Sequence, residues 1–158
     1  MLDFLAGQDG RKLIAKARKL HSEGKSDKAA KTIESALKGG SEDFGLLLEL
    51  GRIQFESGRR KEAASLFKRA HSLVPSRSQE ILTLAEDLHY RMEKSVETGE
   101  VLLELYMERR EFEEAERILE SLGPAGFEEL ANRYKAIYEN VSTRKSPGEM
   151  TRRDLLIQ

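Results

Sequence analysis

Cysteine is absent from this 158-residue chain, which excludes disulfides and thiolate metal sites and points to a reducing compartment. There are only three prolines, so little interrupts a helix. Net charge is almost absent too. Lys and Arg total 27 against 28 Asp and Glu, so the chain as a whole lacks the basic footprint of a nucleic-acid binder. No apolar run approaches the ~18–20 residues a membrane span needs. The opening Met1–Gly10 is too short for a signal peptide and places Asp3 where such a peptide carries basic residues. Sustained alternation of apolar and polar residues between turn signals is also missing, so no strand is expected. The expectation is a cytoplasmic protein with no nucleic-acid or membrane partner. At about 158 residues it has enough chain for one domain or one short array without a covalent staple.

What is present is helical. Leu, Ala, Glu, Lys and Arg dominate, and all favour helix. From Arg11, apolar residues recur at helical spacing: Leu13, Ala17, Leu20, then the helix-stopping Gly24. A second stripe, Ala29, Ile33, Ala36 and Leu37, follows a cap at Ser26 or Asp27. Gly39-Gly40 break the chain, and Ser41 to Asp43 offer new caps. Leu47, Leu50, Ile53 and Phe55 lead to Gly58, and Ala63, Phe67, Ala70 and Leu73 lead to Pro75.

These stripes repeat. Gly24 maps to Gly58, Ala29 to Ala63, Ile33 to Phe67, Ala36 to Ala70, Leu13 to Leu47 and Ala17 to Gly51, always 34 residues apart. A fixed period of this length marks stacked helical hairpins, each too small to bury its own apolar face. Leu47-x2-Leu50-Gly51, then Ala63-x3-Phe67, Ala70 and Pro75, resemble the tetratricopeptide repeat family. The resemblance is strongest over 44–77, looser over 10–43, and degenerate over 78–140. Gln54 departs from the pattern, standing where the family prefers a large apolar residue. The resemblance implies an all-α fold of about eight helices, a right-handed superhelix of antiparallel hairpins.

Beyond residue 78 the period slips. Ile81-x2-Leu84-Ala85-x2-Leu88 reads as a first helix, yet the matching second-helix pattern, Ala115-x3-Leu119, lies 52 residues after Ala63. Ile81 through Tyr106 could form one helix of about thirty residues. That length exceeds the usual 8–20, so two helices with a break near Glu93–Ser95 are expected. Gly123-Pro124-Ala125-Gly126 ends a further segment, and Phe127-x2-Leu130-Ala131 opens another. The expected organisation is a tail or cap over 1–9, repeats over 10–140, and a linker over 141–158. "TRRDLLIQ" there reads as the start of a further helix of a longer repeat protein.

Nothing in the chain assembles a reaction centre. Gly24-Lys25-Ser26 resembles the end of a phosphate loop, but residue 19 is Lys where that loop needs glycine, and no strand precedes it. His21, His71 and His89 share no metal-ligand spacing, and no serine lies in a nucleophile-elbow context. No catalytic, cofactor-binding or metal-binding residue is assigned, and no enzyme is expected. The Arg59-Arg60-Lys61 and Arg109-Arg110 runs read as solvated turns. In the fold that the resemblance implies, first helices line a concave groove, and repeat alignment places Arg18, His21, Leu48, Arg52, Phe55, Leu82, Glu86, His89 and Tyr90 on it. Such a groove, part apolar and part cationic, suits a helical or extended peptide with apolar anchors and acidic groups. The places that grip a terminal carboxylate in one subtype of the family carry Ile14, Arg18 and Glu49, so that mode is not expected. A protein–protein interaction scaffold is the function expected. The alternative is a self-assembly module forming a homo-oligomer through Met1–Leu5 or the irregular region.

Overall fold

A computed structural model describes residues 2–38 and 42–142. Among these, eight α-helices and one 3₁₀ turn occur and no strand does. The helices are α1 (Leu2–Ser22), α2 (Ser26–Lys38), α3 (Phe44–Glu56), α4 (Arg60–Leu73), α5 (Ser78–Arg91), α6 (Val96–Glu108), α7 (Phe112–Ser121) and α8 (Gly123–Ser142). The 3₁₀ turn, Pro75–Arg77, stands before α5. The stretch expected as a tail or cap, residues 1–9, is helical from Leu2 and continues into α1. The expected linker and further helix lie almost wholly outside the described residues.

The chain divides into two compact units, Met1–Leu84 and Ala85–Gln158. In the first, α1 packs on α2, α2 on α3, α3 on α4, and α1 also on α3. Ala17, Ala29, Ile33, Leu47, Ile53, Ala63, Phe67 and Ala70 are fully buried there. The small residues among them let the helices approach closely. At Gly51 the approach is closest: a Cβ on that residue would lie 2.5 Å from the Phe67 ring. In the second unit α6 packs on α7, and both pack on α8. Ala85, Leu88, Leu102, Ala115 and Ile118 form its fully buried centre.

The repeat is visible in the backbone of the turns. Gly24 N–H donates to His21 O at 3.0 Å and Lys25 N–H to Leu20 O at 2.8 Å. Thirty-four residues on, Gly58 N–H donates to Phe55 O at 3.0 Å and Arg59 N–H to Gln54 O at 2.8 Å. A further 52 residues on, Arg110 N–H donates to Met107 O at 3.1 Å and Glu111 N–H to Tyr106 O at 2.9 Å. Each pair is a Schellman helix ending, which needs a left-handed residue at its corner. Gly24 (φ 81°) and Gly58 (φ 87°) fill the first two corners, and Arg110 (φ 58°) fills the third. Helix starts are capped where polar side chains allow. Asp43 Oδ1 accepts from Leu46 N–H at 2.9 Å, and Ser95 Oγ accepts from Thr98 N–H at 3.2 Å. The stretch from Ile81 to Tyr106 is two helices, with the break at Met92–Ser95.

Candidate functional site

Five polar side chains join α1 and α3 in the first unit. Arg18 Nη2 donates to Glu49 Oε2 at 3.1 Å, Arg52 donates to the other Glu49 oxygen, and Arg52 Nη1 donates to Glu56 Oε1 at 3.0 Å. His21 closes the series, with Nε2 3.5 Å from Glu56 Oε2 and Nδ1 2.8 Å from Ser26 Oγ. Burial alone would lower the Arg52 pKa, but its bonds and charge contacts to Glu49 and Glu56 reverse the sign and raise it. Arg52 is therefore held by its own chain. Arg18 donates through one guanidinium nitrogen to Glu49 while its side chain remains 62% exposed.

Of the nine residues expected to line a groove, Arg18, His21 and Arg52 do come together. Leu48 is half-buried on the same helix as Arg52. Phe55 and Leu82 are corrections: they are 2% and 1% exposed, and offer no side chain to a partner. The physical reason at Phe55 is that the outer stripe of α3 is narrow. Packed by α1, α2 and α4, the helix leaves only Gly45, Leu48, Arg52 and Glu56 partly exposed, and Phe55 lies beside that stripe, where the Arg60 guanidinium covers its ring at 5.7 Å.

His89 is a third correction, with 0% exposure. Ser121 Oγ donates to Ile118 O at 2.6 Å, so its lone pairs accept from His89 Nε2–H at 2.8 Å. Nδ1 is left as an acceptor, facing Thr98 Oγ1 at 3.4 Å. Burial, aided by the charge of Lys94, pushes the His89 pKa down to about 4. Tyr90 packs edge-on against His89 and is 46% exposed. Glu86 bonds the hydroxyl of Tyr106, whose pKa burial raises, with Glu86 adding to the shift.

Gln54 and Glu49 carry roles the sequence reading did not give them. Gln54 Oε1 accepts from Arg59 at 2.9 Å while its amide donates to Glu34 at 3.4 Å, so it ties α2 to the turn after α3. Its departure from the repeat pattern was the available signal: a polar group in an apolar slot needs partners. Next to it, a cleft of about 560 Å³ opens between α2, α3 and α4. Leu37, Leu50 and Leu66 form its apolar part. Lys38, Lys61 and Glu62 bring charge to its edge, and Ser65 also lines it.

Among the described residues no helix is long and apolar enough to cross a membrane, and no group of three or more His, Asp or Glu could hold a metal ion. Compared with family models, curated proteins and solved structures, the chain matches none.

Proposed function

We propose that this chain is a protein–protein interaction scaffold, a stack of tetratricopeptide-like hairpins acting in the cytoplasm. The observation that carries the reading is the cleft between α2, α3 and α4. Its volume, leucine floor and charged edge suit an amphipathic segment with two or three apolar anchors. The recurrence of one helix-ending geometry at the 34-residue period supports the hairpin stack. The superhelix is part of the proposal. So is a second, smaller contact at the exposed Arg18, which can take a carboxylate of the bound segment.

Selection from a displayed peptide library against the intact chain tests this. Peptides chosen by the wild type should lose at least about tenfold in affinity for Ser65→Trp, which fills the cleft, and less for Arg18→Ala. Equal binding to Ser65→Trp, with its helicity unchanged, removes the cleft from the proposal.

A further inference from the structure

The cleft between α2, α3 and α4 has one wall whose positive charge runs past its edge. From α2 the lining takes Glu34, Leu37 and Lys38. Lys31 stands three residues before Glu34 and seven before Lys38, so helical spacing puts it on the same side of α2. Lys28, three residues earlier again, continues the row. All three lysines are exposed, and Ser35 between them is exposed and uncharged. At about 1.5 Å per residue, the row from Lys28 to Lys38 is roughly 15 Å long.

The acids around it do not cancel this charge. Arg59 Nη2 donates to Asp27 Oδ1 at 2.5 Å, and Arg69 Nε donates to Glu42 Oε1 at 2.7 Å, so those charges offset in pairs. On α4, Lys61 and Glu62 balance each other at the cleft edge. Three lysines then face Glu34 alone, and Glu34 accepts from the Gln54 amide at 3.4 Å.

We infer that the segment held in the cleft is acidic along one flank. Its apolar side chains rest on Leu37, Leu50 and Leu66, and its carboxylates lie over Lys28, Lys31 and Lys38. The inference rests on the cleft as the docking site and adds the chemistry of the occupant. Adjacency decides the class of partner. A leucine floor beside the row calls for apolar anchors, which a phosphate backbone does not carry. Residues 11–38 hold no Phe, Tyr or Trp on which a base could stack. A bilayer takes up a projecting apolar face, and here the apolar surface is recessed in a cleft of about 560 Å³. A peptide with aliphatic anchors and Asp or Glu on one side meets both surfaces at once. Each exposed lysine gains little from a single pair, so the row selects the partner and speeds its arrival more than it tightens the complex.

A displayed library of random peptides, selected in parallel on the intact wild type, on K28E/K31E and on Ser65→Trp, tests this. Neither Lys28 nor Lys31 lines the cleft, so the double variant alters the row and leaves the floor intact. Wild-type selections should be enriched in Asp and Glu on one side of the apolar anchors, and selections on K28E/K31E in Lys and Arg there. A synthetic peptide from the wild-type selection should bind K28E/K31E at least about fivefold more weakly. Replacing its acids by lysine should restore binding to K28E/K31E, which a damaged fold would not allow. The wild-type complex should also weaken at least about fivefold between about 0.01 and 1 M salt, as the screening length falls from ~30 to ~3 Å. Peptides that lose affinity for Ser65→Trp yet are indifferent to K28E/K31E overturn the acidic flank and leave the cleft standing. Peptides indifferent to Ser65→Trp, or none selected, overturn cleft and flank together. Binding of a single-stranded oligonucleotide or of phosphatidylserine vesicles, lost in K28E/K31E and kept in Ser65→Trp, assigns the row to a polyanion and equally overturns the flank.

Discussion

Arg110 holds a backbone conformation that its own Cβ opposes. Its φ of 58° is the left-handed corner that Gly24 and Gly58 fill in the equivalent turns. A non-glycine residue there costs on the order of 1 kcal/mol, partly offset because glycine loses more freedom on folding. Arg110→Gly should therefore stabilise the chain by roughly 0.5–1 kcal/mol, read as a higher urea midpoint with unchanged slope. Gly51 is the opposite case. Its φ is helical and unstrained, and the difficulty is space. Gly51→Ala would drive a methyl group into the Phe67 ring, which is fully buried, and should cost about 1–3 kcal/mol. Phe67→Ala, which empties the same contact, should cost about 3–5 kcal/mol. If both changes left the urea midpoint where it is, the close seam between α3 and α4 would not be holding the first unit together.

Among the elements, turns and helix starts were more legible than helix faces. The 34-residue spacing of Gly24 and Gly58 gave the turn backbone directly, because a Schellman ending has few alternatives. Even the irregular 52-residue step predicts the third turn, although no glycine marks it: Ala115 and Leu119 carry the register. The break at Met92–Ser95 was legible from length alone. Ser95 then fixes it, since its hydroxyl caps α6 at Thr98 N–H and lies 2.6 Å from the Thr98 hydroxyl. Ser95→Ala should cost about 1 kcal/mol, with amide exchange accelerated first at the α6 start. The groove was less legible. Spacing along one helix says which residues share a side, and nothing about how many neighbours cover that side. Phe55 falls on the predicted outer stripe of α3 and is buried, because the helix is packed by three neighbours. Leu82, placed by the same alignment, is buried too, and His89 is enclosed by hydroxyls from distant positions that no local pattern reveals. The Glu49 and Gln54 bridges are likewise long-range.

At the scale of the whole molecule, acidity should act on the second unit. His89 is neutral when folded, with a pKa near 4, whereas an unfolded histidine titrates near 6.5. Between those values the unfolded chain binds the extra proton, so stability is full above pH 6.5 and declines as pH falls toward 4. The loss is on the order of 3 kcal/mol if no neighbour rearranges. Denaturant titrations at several pH values should show that slope, and His89→Gln should flatten it. An unchanged slope in His89→Gln would assign the acid sensitivity to carboxylates instead.

All four tyrosines lie beyond residue 84, and the chain has no tryptophan. Its near-ultraviolet dichroism and intrinsic emission therefore report on the second unit far more than on the first. The Tyr106 hydroxyl, buried and bonded to Glu86, sharpens that asymmetry. Its phenolate absorbance should stay dark in alkali while the second unit is folded, and brighten when it opens. The molecule thus carries an optical indicator for one of its halves, with no label attached.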